Sequence, residues 1–180
     1  MKYILIIITA LAFVFAGIAA DENTGIEIKG GFGYVLGEDG SKLKGRTLPN
    51  GKISIQAKSA FRNFETCLIS LSNEKQIYSI TSQANYESEK DTDKEFKILL
   101  NLLEKKYKAK FLDETLKRFP NLRNEEVAYA YHQGPKTILL KKHSKKHITL
   151  FYFDEEVNSS QKRKQKQTED CQNNNDPNAI

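Results

Sequence analysis

The sequence predicts an α+β fold, in which a mainly antiparallel sheet carries one principal helix (residues 91–108) on one face and ends in a C-terminal β-meander. Two observations lead to this prediction. One long segment repeats its apolar residues at helical spacing, and short segments of alternating polarity flank it on both sides. Because short turns join those segments, sequence neighbours are expected to pair antiparallel, with the helix packed on the sheet that they form.

The principal helix is predicted from its cap and from its apolar stripe. Thr92 and Glu95 have the spacing of a capping box, in which the hydroxyl and the carboxylate each satisfy a backbone N–H at the helix start. Behind this cap, apolar residues recur at steps of three and four, as expected for one buried stripe. The stripe consists of Phe96, Leu99, Leu100, Leu103 and Tyr107.

The segment 1–20 has the composition of a secretory signal peptide. Lys2 precedes an almost unbroken apolar run, and Gly17 and Ala19 supply the small residues for cleavage after Ala19. Cleavage after Ala20 and retention as an uncleaved membrane anchor are the alternatives, since about 20 residues suffice to span a bilayer. We therefore predict export to the periplasm or the extracellular space.

The rest of the chain is predicted to form one domain and a tail. Residues 21–157 suffice to bury the core of a single α+β domain, with an irregular, glycine-rich start at 21–51. Residues 158–180 are rich in Gln, Asn, Lys and Ser, so we predict a disordered polar tail. Loss of Lys2 with the leader lowers the formal charge from +5 to +4, well below the imbalance typical of nucleic-acid-binding domains.

Upstream of the helix, the sequence predicts a hairpin or a meander. Residues 53–55 alternate apolar and polar side chains, residues 64–71 do the same over a longer stretch, and residues 76–86 continue after a polar turn. The glycine-rich residues 30–37 fit a loop or an irregular edge strand, because glycines permit bulges and a close approach of the backbone.

Downstream of the helix, three further strands are predicted at residues 127–132, 137–142 and 148–153, with short turns between them. The last strand is apolar on both faces, which is typical of a central or helix-covered strand. Residues 111–119 fit either a second short helix, which Pro120 would end, or an irregular crossover.

Several motifs resemble those of a loose class of small exported bacterial proteins of unknown function. They are Phe32-Gly33 with Leu36-Gly37, Ile77-Tyr78-Ser79-Ile80, Leu103-Glu104-Lys105-Lys106-Tyr107 at the end of the helix, and a meander that ends at Asp154. The resemblance covers about residues 30–157 and departs from the class where Lys108 replaces the usual Gly. It implies an exported α+β domain, and it assigns no site and no activity.

The candidate site is a basic hairpin tip near the C-terminal end. Compact positive clusters attract anionic surfaces and acidic proteins. The residues predicted to contact such a partner are Lys136, Lys141, Lys142, His143, Lys145, Lys146 and His147. The alternative is that the lysines only keep an exposed hairpin from aggregating. Because the lysines repel a divalent cation, the two histidines do not predict a metal site, and no catalytic residue or cofactor is predicted.

These features predict a non-catalytic exported protein that binds a partner, either an anionic surface or a protein, through its sheet and basic tip. Nucleic acid is not favoured, because the tip lacks aromatic residues that stack on bases. The alternative is a small secreted or periplasmic hydrolase-like enzyme, with a site built from Cys67 or from scattered carboxylates such as those at 125–126 and 155–156. Cys67 is predicted to be buried and unpaired, and Cys171 to be exposed in the tail.

Overall fold

The structure is a computed structural model, and it describes residues 26–114, 127–143 and 145–159. The predicted signal segment, the tail from residue 160 onward and Cys171 lie outside these residues. Most of the segment 111–119, which was predicted to form either a second short helix or an irregular crossover, also lies outside them.

An eight-stranded antiparallel sheet with one long helix confirms the predicted α+β fold. The helix α1 spans Glu89–Tyr107. The strands are β1 (Gly30–Gly31), β2 (Tyr34–Val35), β3 (Arg46–Thr47), β4 (Ile53–Phe61), β5 (Phe64–Leu71), β6 (Ile77–Asn85), β7 (Leu112–Asp113), β8 (Val127–Gln133), β9 (Lys136–Lys142) and β10 (His147–Asp154). The sheet order is β3-β4-β5-β6-β10-β9-β8-β7, and β1 and β2 form a separate two-stranded hairpin.

The large sheet consists of two meanders that meet at β6 and β10. Strands β3 to β6 form the first, and strands β7 to β10 form the second, so every pairing between sequence neighbours is antiparallel. The helix α1 carries the chain from β6, in the middle of the sheet, to β7 at its far edge. Strand β10 then pairs with β6, which gives β10 the central position that its apolar residues on both faces predict.

The helix begins earlier than the capping box predicts. Its N-cap is Ser88, whose Oγ accepts a hydrogen bond from the Asp91 backbone N–H at 3.1 Å. Thr92 is buried inside the first turns, and its hydroxyl reaches the carbonyl oxygen of Lys145 at 2.9 Å. Glu95 pairs with the guanidinium of Arg62 instead of a backbone N–H. The capping-box prediction was therefore wrong, because both side chains have partners outside the helix.

One stripe of α1 packs on the sheet. The buried helix residues are Thr92, Phe96, Leu99, Leu103 and Tyr107. Leu100, which the periodicity placed in the same stripe, is only half-buried. The rings of Phe96 and Tyr107 lie 6.0 Å from those of Tyr129 and Tyr131 in β8, so aromatic contacts anchor both halves of the helix.

The glycine-rich start is a tight hairpin that inserts into the core. Phe32 and Gly33 form the turn between β1 and β2, and both have positive φ, as this type of two-residue turn requires. The Phe32 ring is buried against Phe64 and Tyr152. Its carbonyl oxygen accepts hydrogen bonds from the N–H groups of two residues in an irregular part of β4, which ties the hairpin to the large sheet.

Two chain segments differ from their predicted course. Leu112 and Asp113 are extended and pair with β8, so this part of the segment after α1 is not helical. At the other end, residues 155–159 form a helical turn that extends past the predicted start of the tail at residue 158. The Asp154 carboxylate accepts hydrogen bonds from the backbone N–H groups of Glu156 and Val157, which explains why the turn forms there.

Candidate partner-binding face of the sheet

The two faces of the large sheet are covered differently. Directly paired residues of neighbouring antiparallel strands share a face, so the strand register assigns every side chain. One face packs against α1 and the β1–β2 hairpin and holds the buried core. The opposite face, called the open face below, includes three rows of cross-strand partners. The row nearest the basic tip contains Gln83, Thr149, Lys141 and Ala128. The middle row contains Arg46, Ser54, Leu68, Thr81, Phe151, Leu139, Ala130 and Leu112. The row farthest from the tip contains Ser70, Ser79, Phe153, Thr137 and His132.

An apolar strip crosses the middle of the open face. The rings of Phe151 and Phe153 stack with their centroids 5.7 Å apart, and the ring of Tyr78 meets Phe153 edge-on at 6.0 Å. Leu139 lies beside Phe151 on the next strand. All four side chains are half-buried, so each still presents apolar surface to solvent. These four residues are called the aromatic strip below.

Tyr78 reaches this strip because of a bulge. Ser70 pairs with Ser79, and the next residue of β5, Leu71, pairs with Ile77, which leaves Tyr78 as the extra residue of β6. Without the bulge, strict alternation would place Tyr78 and Ile80 on the same face, toward the helix. The irregularity therefore moves one more aromatic ring onto the open face.

The open face is basic as well as aromatic. None of the residues in its three rows is Asp or Glu, whereas Arg46, Lys141 and His132 are among them. At its edge, Glu114 follows β7, is buried, and places Oε1 3.9 Å from His132 Nε2. Within these rows of described residues the charged side chains are therefore basic, which favours an acidic partner.

The structure brings most of the predicted tip residues together at one end of the open face. Lys141 and Lys142 end β9, His147 begins β10, and His143, Lys145 and Lys146 lie in the turn between the two strands. The backbone N–H of His143 donates to the His147 carbonyl oxygen at 3.1 Å. Lys136 is not part of this group. It begins β9 at the opposite end of the strand, where its Nζ lies 3.0 Å from the Glu27 carboxylate.

Part of the tip's positive charge is paired with the helix. Lys142 forms an ion pair with Asp93, and Lys145 lies 3.5 Å from the Glu89 carboxylate. The Thr92 hydroxyl holds the same turn through the Lys145 carbonyl oxygen. The tip thus has a structural role, because it docks against the first turns of α1. It retains less unpaired charge than its composition suggests.

The tip histidines border the open face without forming a chelating group. The rings of His143 and His147 stack at 5.7 Å. His143 Nε2 lies 2.8 Å from the Thr149 hydroxyl, and His147 Nδ1 lies 2.5 Å from the Asn85 amide oxygen. Within the part of the chain that the structure describes, no three His, Cys, Asp or Glu side chains are grouped so that they could hold a metal ion.

Cys67 is fully buried and unpaired, as the sequence predicts. It lies on the helix-facing side of β5, and burial raises the pKa of its thiol to about 11. A nucleophilic cysteine needs solvent access and a thiolate at neutral pH, and this residue has neither. Of the carboxylates in the alternative enzyme hypothesis, those at 125–126 lie outside the described residues and those at 155–156 belong to the C-terminal helical turn.

The pKa of Cys67 predicts a loss of stability at high pH. The unfolded chain releases this proton near its ordinary pKa of 9.0, whereas the folded chain holds it up to about 11. Between these values the unfolded state binds fewer protons, so the free energy of unfolding falls as pH rises, by about 2–3 kcal/mol for the full shift. We expect the free energy of unfolding in urea to fall less between about pH 8 and about pH 11 for Cys67→Ala than for the parent. Equal falls in the two proteins would contradict the claim that the raised pKa of Cys67 causes this loss of stability.

Sequence reasoning missed the aromatic strip as a site, although one indication of it was present. Strand β10 is apolar on both faces, and this pattern correctly predicts its central position. The pattern does not show which of the two faces the helix covers. The sequence around Tyr78 does not predict that its ring lies on the open face, because its orientation depends on the bulge between β5 and β6.

Among the described residues, no helix has both the length and the apolar composition needed to cross a membrane. The long helix α1 places charged side chains, most of them Lys, along its outer side. Comparison with known proteins adds no further guide, because no family model, no curated protein and no solved structure matches this chain.

Proposed function

We propose that this protein is an exported, non-catalytic binding protein that holds an acidic protein partner on the open face of its sheet. The observation that carries the proposal is the aromatic strip on central strands, whose rows of cross-strand partners include Arg46 and Lys141 and contain neither Asp nor Glu. Aromatic side chains are enriched at protein interfaces and often supply most of the binding energy. The cations at the margins provide complementarity to an acidic surface.

The placement of charge and apolar surface favours a protein over a lipid surface. A membrane-binding tip combines unpaired cations with protruding apolar side chains. Here Lys142 and Lys145 are paired with carboxylates of α1, and the half-buried aromatic rings lie on the sheet face behind the tip. A sheet face with a central apolar strip and charged residues around it matches the core and rim arrangement of a protein interface.

Export follows from residues 1–20, whose composition supports delivery of the mature domain to the periplasm or the extracellular space. The partner is then expected in the same compartment, or on a cell surface that faces it. The burial of Cys67 supports a role in binding rather than catalysis, because the enzyme alternative built its site either from Cys67 or from scattered carboxylates.

Site-specific photo-crosslinking in the producing cells tests the proposal. A photoreactive amino acid replaces Phe151 on the open face, or Lys97 on the exposed side of α1 as the matched control. We expect a discrete adduct with an acidic protein at position 151 and none at position 97. The captured protein is then purified and its binding to the unmodified domain is measured directly, because capture alone does not establish specific binding.

Three outcomes of this experiment would contradict the proposal. They are equal adducts at both positions, no protein adduct at position 151, and crosslinks to lipid alone. The last outcome would favour an anionic membrane surface, and co-sedimentation with phosphatidylglycerol vesicles would then be stronger than with neutral vesicles.

A further inference from the structure

A pocket of about 350 Å³ lies on the other side of the sheet from the open face, between the C-terminal half of α1 and the β1–β2 hairpin. Its walls are mainly apolar side chains. The lining residues are Gly31, Phe32, Ser59, Phe61, Leu102, Leu103, Lys106 and Tyr152. Pockets that bind small organic ligands have volumes of about 300–1,000 Å³ and the same predominance of apolar and aromatic walls.

The glycine-rich hairpin builds one wall of this pocket. A Cβ on Gly31 would lie 2.3 Å from the Tyr152 ring, so only glycine permits this close approach of backbone and ring. Phe32 occupies the left-handed region with φ 57°, a conformation that costs free energy for a bulky residue. The hairpin thus fixes the Phe32 and Tyr152 rings edge to face at 6.0 Å on the pocket wall.

The inner part of the pocket offers no charge to a ligand. Tyr152 is buried, and this burial raises the pKa of its hydroxyl, so the side chain stays neutral. Leu103 is also buried, and Leu102 on the rim is 39% exposed. An exposed leucine beside an apolar pocket extends the apolar surface toward solvent.

One cation stands at the mouth of the pocket. Lys106 is exposed, its Nζ lies 5.1 Å from the centroid of the Tyr107 ring, and it forms no ion pair with a residue that the structure describes. Ser59, also exposed, adds a hydroxyl at the same rim. An apolar interior with a single positive charge at the opening suits a ligand with an apolar body and one negative head group.

We propose that this pocket binds a medium-chain fatty acid, with its alkyl chain against the aromatic walls and its carboxylate at Lys106. The volume is at the low end of the range for organic ligands, which favours one alkyl chain over a diacyl lipid. The single cation favours a monoanionic carboxylate over a phosphate group of higher charge. This site is separate from the open face, and the proposal does not depend on the function proposed above.

Calorimetric titration of the full mature chain with decanoate tests the proposal. We expect saturable binding of decanoate, and binding of hexanoate at least about tenfold weaker, because each methylene removed from water contributes about 0.8 kcal/mol. Neutral 1-decanol measures the apolar contribution alone. Lys106→Glu is the test variant. Lys105→Glu is the matched control, since Lys105 is also exposed in the last turn of α1 and does not line the pocket.

Lys106→Glu is expected to weaken decanoate binding about fivefold or more and to leave 1-decanol binding unchanged. Lys105→Glu is expected to change neither. The proposal is overturned if the parent binds no decanoate, if hexanoate binds as well as decanoate, or if the two glutamate variants behave alike. Loss of 1-decanol binding in Lys106→Glu would overturn the role of Lys106 in holding the head group.

Discussion

Replacement of Leu99 by alanine is expected to lower the free energy of unfolding by about 2–5 kcal/mol. Leu99 is fully buried at the centre of the α1 stripe, between Phe96 and Leu103, and it belongs to the main core cluster. Truncation removes apolar contact and leaves a cavity that packed neighbours fill only in part. Urea unfolding followed by circular dichroism measures the difference between the variant and the parent.

Leu102→Ala is the matched control on the same helix. Leu102 is 39% exposed, so its truncation is expected to cost less than about 1 kcal/mol. If both variants unfold at the parent's urea concentration, α1 is not packed on the sheet as described. Equal large losses would show that the two sides of α1 are buried alike, which the structure contradicts.

Gly30→Ala is expected to lower the free energy of unfolding by about 2–4 kcal/mol, because backbone strain and a steric clash coincide at this position. Gly30 has φ 138°, a conformation that residues with a Cβ rarely adopt. An added Cβ would lie 2.4 Å from the Tyr34 carbonyl oxygen, and this backbone atom cannot move without opening the hairpin. The Phe32 ring would then lose its place in the core.

Gly37→Ala separates strain from clash in this prediction. Gly37 also has a positive φ of 82°, but nothing lies within 4 Å of an added Cβ, so only the cost of about 1–2 kcal/mol for the left-handed region applies. Equal effects of the two substitutions in urea unfolding would argue that the β1–β2 hairpin is not packed as the structure shows. A markedly larger effect of Gly30→Ala supports the packed hairpin.

The strands could be predicted from the sequence because their polarity pattern is local. Residues 64–71 were predicted with the limits of β5. Strands β8 and β9 each differ from their predicted limits by one residue at one end, and β10 is one residue longer at both ends. Alternation of apolar and polar side chains follows from the geometry of one strand. The antiparallel arrangement follows as well, since short turns join the strands within each meander.

Features that depend on contacts between distant segments could not be predicted. The start of α1 is one example, since Thr92 bonds to Lys145 and Glu95 to Arg62, 53 and 33 positions away. The reduced charge of the tip is another, because the pairing of Lys142 with Asp93 joins the end of β9 to the helix. No periodicity within one segment encodes such a partner.

The location of the candidate site could be predicted only in part. The basic tip follows from composition, and the structure places it beside the open face. The aromatic strip depends on which face α1 covers and on the bulge at Tyr78, and both are set by the register between strands. The pocket near Lys106 depends on the insertion of the β1–β2 hairpin beside α1, which the glycine-rich sequence permits but does not specify.

The most direct test of the central claim is the dissociation constant of the purified acidic partner for the parent domain and for two serine variants. Phe151→Ser removes the centre of the aromatic strip, and Leu102→Ser removes an exposed apolar side chain on the helix side. With unchanged melting temperatures, we expect Phe151→Ser to weaken binding about tenfold or more, as for an aromatic residue at an interface centre, and Leu102→Ser to have no effect. Equal affinities of Phe151→Ser and the parent would contradict the claim that the open face binds the partner.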